Sequence, residues 1–324
     1  VSAAATTISI TGGTFKGVGT GILFTPALLG ATTLTLSGAS AEATGTGATN
    51  QALRFVSTVA GPVSITGGTF TQSNANVGGI GFEAAVTSAV TISGATIASG
   101  DDCIAFASLQ APLTLKNVVA TAASNGNALK LTAVTGTATS IDITGGTYTG
   151  IDHGIQFPAL VAATSVSVSG VTAVSTGTWQ PLRFAAVAGA VSITGGTFTQ
   201  AGATGSAIYF EFAITGAGVT ISDVTLITGH NSIVINDLQA PLVMKNVVAT
   251  TSTAGNAFLL AAATAAATTI EITGGTYTAV ESGLLFPALV AGTSVTLKDV
   301  TAVSTGSTDD ALHFGGAVAG PVAI

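Results

Sequence analysis

Charge is what this chain has least of. Lys and Arg number 7 and Asp and Glu 14 among 324 residues, for a net charge of −7. The seven bases, Lys16, Arg54, Lys116, Lys130, Arg183, Lys245 and Lys298, stand far apart. Nucleic-acid binding neutralises phosphates with clustered Lys and Arg, so no nucleic-acid partner is expected. A single cysteine, Cys103, excludes an intramolecular disulfide and a cysteine-based zinc site. Long apolar runs are missing too, although hydrophobic residues make up 47% and mean hydropathy is +0.69. Thr, Ser or Gly interrupts each run well short of the ~20 residues that a spanning helix needs. No membrane span is expected, and no secretory leader is read at the start. Neither a P-loop nor a dinucleotide fingerprint is present, and no cofactor is expected.

What is abundant is repetition. An apolar–polar–apolar strand recurs along the chain, as Ile8-Ser9-Ile10, Leu34-Thr35-Leu36, Val63-Ser64-Ile65 and Val90-Thr91-Ile92, through to Val322-Ala323-Ile324. Its period-2 alternation marks a half-buried strand. A closing strand follows in phase, as Leu53-Arg54-Phe55, Ile155-Gln156-Phe157, Leu182-Arg183-Phe184 and Leu312-His313-Phe314, with its middle residue facing out. Between the two lies Gly-Gly-Thr-Phe/Tyr (Gly67–Phe70, Gly145–Tyr148, Gly195–Phe198, Gly274–Tyr277) or a variant such as Asn117-Val118-Val119. Glycine permits a corner that a β-carbon crowds, and the aromatic then turns inward as a third short wall.

This pattern predicts an all-β fold: one right-handed parallel β-helix over residues 1–324, with about 12 coils of ~26 residues and three short strands per coil. A longer period is superposed. Pro112-Leu-Thr-Leu-Lys-Asn-Val-Val-Ala-Thr returns 129 residues later as Pro241-Leu-Val-Met-Lys-Asn-Val-Val-Ala-Thr. Five coils therefore form a block, with blocks expected at about 6–138, 139–267 and 268–324, the last incomplete. Neither end carries a polar cap, and bare solenoid ends are adhesive, so the chain reads as cut from a longer array or stacked end to end.

One segment breaks the low-charge pattern: Gly100-Asp101-Asp102-Cys103-Ile104-Ala105-Phe106. It resembles the Asp-Asp-Cys motif of polygalacturonase-like glycoside hydrolases, and Gly229-His230-Asn231 more loosely resembles their Gly-His-Gly segment. The resemblance implies Asp101 and Asp102 as catalytic acids, with His230 accessory, in a two-carboxylate mechanism. Internal repetition points elsewhere. Other coils fill the same slot with Asn50-Gln51, Asn127, Asp152-His153, Asn256, Glu281-Ser282 and Asp309-Asp310. That is a turn position, where Asn and Asp bond neighbouring backbone and tolerate unusual φ. The family's upstream Asn-Thr-Asp and its Arg-x-Lys are also missing. The chain is therefore read as not an enzyme. Asp101 and Asp102 are the fallback catalytic pair, Glu83 is the only further acid for a cleft, and Cys103 is read as core.

Outward slots of the opening strand hold Ser or Thr in most coils, which raises the alternative of an ice-binding face. Lys116, Asp142, Lys245, Glu271 and Lys298 interrupt those rows, and Lys116 is expected near Asp142, with Glu271 between Lys245 and Lys298. No metal site is expected, because the Gly-Gly pairs lead to Thr-Phe and not to calcium-binding nonapeptides. His153, His230 and His313 read as exposed turn residues. Overall the chain resembles pectin-lyase-like β-helical surface proteins, such as autotransporter passengers and haemagglutinin-like adhesins. That likeness implies an extracellular or cell-surface repeat protein that self-associates into a fibre, sheath or layer and contacts glycans or cell surfaces.

Overall fold

The computed structural model describes residues 5–47, 49–136, 139–264 and 268–324. The block boundaries expected at 138 and 267 fall outside these residues. The chain divides into two compact units, residues 1–158 with 163–165, and residues 159–162 with 166–324. Each is a parallel β-solenoid, and no helix occurs among the described residues. In both, every coil contributes an opening, a middle and a closing strand. Each strand pairs in parallel with its counterpart in the next coil, so three sheets run side by side.

The alternation read from the sequence fixes which residues turn in. In Val63–Thr66, Val63 and Ile65 are buried while Ser64 is half-buried and Thr66 exposed. In Leu53–Phe55 the two apolar ends are buried around Arg54. Because partners sit in register, like stacks on like. Phe24, Phe55, Phe82 and Phe106 form a column with centroid spacings of 5.0, 4.5 and 4.5 Å and near-parallel rings. Such contacts contribute ~0.5–1.5 kcal/mol each beyond the area they bury. The inward aromatics of the middle strand, Phe70, Tyr148, Phe198 and Tyr277, are fully buried, as the corner motif predicts.

The corner after the opening strand is the most regular feature. One residue per coil has φ between +50° and +64°: Gly12, Gly38, Gly67, Gly94, Asn117, Gly145, Gly170, Gly195, Asp223, Asn246, Gly274 and Asp299. Only Gly, Asn and Asp enter this left-handed region routinely, and only they occupy the slot. Where a second glycine follows, close approach requires it, since a β-carbon on Gly68 would lie 2.0 Å from the Ala39 carbonyl oxygen.

Register also corrects an expectation. Lys116 pairs with Thr144, while Asp142 pairs with Thr114, so base and acid sit on a diagonal two residues apart. Lys245 and Lys298 both pair with Thr273, again two residues from Glu271. Among the described residues none of these groups forms an ion pair. The Lys and Arg pairs that do form among the described residues are Lys16–Glu42, Arg54–Glu83, Asp102–Lys130 and Arg183–Glu211, each joining one coil to the next.

The corner gives a clean test. A β-carbon on Gly94 would meet nothing within 4 Å, so Gly94→Ala isolates the cost of the left-handed backbone. Urea unfolding is expected to show a loss of ~1–2 kcal/mol, whereas Asn117→Gly leaves stability nearly unchanged.

Candidate functional site

The acidic loop precedes the closing strand Ile104–Leu109. Asp102 stands two residues before that strand and faces the next coil. Its Oδ1 accepts from the backbone N–H of Asn127 at 2.9 Å and from the Asn127 amide at 2.7 Å. Its Oδ2 accepts from Lys130 Nζ at 2.9 Å. Asn127 repeats the arrangement one coil on, its Oδ1 accepting the His153 N–H at 3.1 Å. The second unit has the same chain of caps. Asn231 Oδ1 accepts the Asn256 N–H at 2.8 Å, and Asn256 Oδ1 accepts the Ser282 N–H at 3.0 Å. Each Asp or Asn oxygen thus satisfies a loop N–H that no strand ladder reaches, which a buried backbone donor requires.

The turn reading has the right place and one of its two causes, bonding to backbone, though on the next coil, while the unusual φ is not found here. Neither Asp101 nor Asp102 has positive φ, and the left-handed residues sit at the corner instead. What selects Asp or Asn here is a short side chain that can accept across the gap between coils.

Electrostatics follow the same geometry. Burial, then the neighbouring charge of Asp102, pushes the Asp101 carboxyl above the usual carboxylate range, and Asp152 adds to this. Burial pulls the Lys130 ammonium down, but the hydrogen bond and charge of Asp102, with Asp101 and Asp152, outweigh it and hold the group above its ordinary value. The Lys130 partner is specific to this unit. Aligned on the 129-residue period, Asp102 and Lys130 become Asn231 and Leu259. Charge and counter-charge have been exchanged together for a neutral pair.

Cys103 is fully buried with Ser99 Oγ at 3.2 Å from its sulfur. Burial pushes its thiol up to about 12, so it is no nucleophile at neutral pH. Glu83 is held by Arg54 through two bonds of 2.7 Å. Ile80 pairs with Ile104, which puts Glu83 five residues along the strand direction from Asp102, roughly 16 Å. Glycoside hydrolysis needs two carboxyl groups ~5–9.5 Å apart across a bond, so Glu83 and Asp102 do not form that pair. Asp102 is bound on both oxygens and ion-paired, tying its loop to the next coil.

His230 lies in the other unit, with its Nδ1 2.8 Å from Asn231 Nδ2. His153 is buried at 6% exposure, against the expectation of an exposed turn. It was misread because capping by Asn127 draws its backbone into the loop interior. His313 is partly exposed and 3.1 Å from Asp310. It borders an open polar recess of about 220 Å³ with Asn256, Glu281 and Asp309. Among the described residues no group of three or more His, Cys, Asp or Glu is arranged to hold a metal ion.

From sequence, Asn127 and Asn256 stand only as occupants of the turn slot and Lys130 only as one of the scattered bases; their ties to Asp102 and Asn231 come from the structure. Comparing the loop with its copy 129 residues on would have revealed the paired exchange. The class is a parallel β-solenoid with a capped acidic loop. No protein-family model, curated protein or solved structure matches the chain.

Two outcomes are expected at this loop. Lys130→Leu leaves the Asp102 charge unpartnered and costs ~1–3 kcal/mol, while Asp102→Asn with Lys130→Leu recovers most of that loss, giving a coupling of ~1 kcal/mol or more in a double-mutant cycle. The raised Asp101 carboxyl means the folded chain keeps a proton that the unfolded chain releases. Stability is thus highest below the ordinary Asp value of 3.8 and falls as pH rises through the higher folded value. Asp101→Asn removes that fall, so its Tm should exceed the parent's near neutral pH and match it in acid.

Proposed function

We propose that this chain is a structural segment of an extracellular or cell-surface protein, related in kind to pectin-lyase-like adhesins. It acts by self-associating into a fibre, sheath or layer. One observation carries the reading: each Lys or Arg ion pair among the described residues bridges one coil to the next. Four of the seven bases, Lys16, Arg54, Lys130 and Arg183, are tied to an acid on the next coil, and the outer slots are left mainly to Ser, Thr and small apolar residues. Soluble monomers usually keep ~25–35% of their surface charged to resist association, and this chain has 6% in all. Copies meet few charged groups at the outer slots, and small side chains lose little entropy on contact. The buried thiol of Cys103 leaves nothing for an oxidising compartment to alter, which suits an exterior location. Adhesion to glycan or cell surface is the further part of this reading. The glycoside-hydrolase alternative gains no support from an Asp102 bound on both oxygens.

Purified protein should form filaments or sheets in electron micrographs and sediment as high oligomers as concentration rises. Ser64→Lys with Thr91→Lys, stacked outward on adjacent coils, should weaken assembly at low salt and regain part of it at high salt, where surface charge is screened. A parent chain that stays monomeric at high concentration would end the proposal.

A further inference from the structure

The middle sheet differs from its neighbours in a way the assembly reading does not explain. In the second unit its six strands are each four residues long, from Thr172–Ser175 to Thr301–Ser304. The first and third residues of each face out, giving twelve outward positions. Eight are Thr, three Val and one Ile, with no charged residue, Ser or Gly among them. The opening sheet of the same unit carries Ser167, Lys245, Glu271 and Lys298 outward. Ordinary hydration would accept Ser, Gln or Lys equally well, so in this unit the middle sheet is restricted to β-branched side chains and not merely to polar ones. The first unit instead has Lys16, Ser40 and Glu42 in the same slots.

That restriction has a physical consequence. β-Branched residues are stiff at χ1, so their methyls and hydroxyls hold fixed positions. Register is unbroken here: Thr197 pairs with Thr225, Thr225 with Val248, and Thr276 with Thr301. The closing sheet, by contrast, slips between Phe210 and Ala213. The result is a grid in unbroken register, repeating at ~4.8 Å from coil to coil and ~6.7 Å along each strand. In the first unit, Thr69 with Thr71 and Thr147 with Thr149 show the same pattern.

We infer that this face binds ice. The grid repeats lie close to those of water oxygens on an ice surface, and a rigid template loses little freedom on binding. A dry contact with a second copy would have to match each of eight hydroxyls to a partner across the seam at fixed χ1, and each unmet one costs ~1–3 kcal/mol. Lattice water both donates to and accepts from each hydroxyl, while the methyls rest in its openings. The interrupted hydroxyl rows of the opening sheet are the wrong face for this role. The inference is independent of self-association.

The test is ice shaping and thermal hysteresis of the whole chain, with far-UV circular dichroism and sedimentation alongside. The parent should shape ice crystals and depress their growth. Thr199→Lys, which sets a strongly hydrated ammonium in the grid, should lose most of the hysteresis, and Thr220→Lys on the opening sheet should keep it. Thr199→Ser, which retains the hydroxyl but frees χ1, should lose part, and it decides the matter if the lysine variant does not fold. An inert parent, equal hysteresis in Thr199→Ser and parent, or equal loss in the two lysine variants overturns the inference. Dimerisation abolished by Thr199→Lys with no effect on ice would assign the face to a second copy and overturn it as well.

Discussion

The whole architecture depends on one left-handed residue per coil. At that corner the chain leaves the opening sheet and enters the middle one, and the angle is the same each time because φ stays between +50° and +64°. A repeated angle makes each coil superpose on the last, so parallel strands meet in register and their backbone groups pair from coil to coil. Asn246 adds a lateral tie, its amide donating to Asp223 Oδ1 at 3.0 Å from one corner to the next.

Stacking in register amplifies whatever occupies a slot. Phe over Phe gains contact at every step. A like charge above a like charge would lose at every step, since residues directly opposite on paired strands repel. Scarce charge is thus partly a condition of the fold, and each Lys or Arg ion pair among the described residues sets opposite signs on adjacent coils. The same amplification turns a preference for Thr in one slot into a two-dimensional grid.

The acidic loop shows how one geometric need can be met by different chemistry. Asp102 with Lys130 and Asn231 with Leu259 cap the same N–H in two copies of the loop. The first arrangement carries a carboxylate that needs a cation, and the second carries neither. Within the motif that resembles a catalytic pair, Asp102 fastens one coil to the next. The neighbouring Asp101 has a raised carboxyl, through burial and the charges of Asp102 and Asp152.

Fold and period were legible in the sequence because solenoid coils are local: alternation places residues in or out, and glycine or Asx marks each corner without reference to distant segments. The position of the acidic loop, the burial of Cys103 and the inward aromatics were legible for the same reason. Register was not. Whether Lys116 meets Asp142 or misses it by two residues depends on coil lengths that vary with each loop. The pairing of Asp102 with Lys130, the burial of His153 and the alignment of Thr197 with Thr225 and Thr276 with Thr301 are likewise relations between coils. A linear pattern specifies which side of a strand a residue occupies. Only the stacked structure specifies what stands above it, because that is set by the sum of all the turns between.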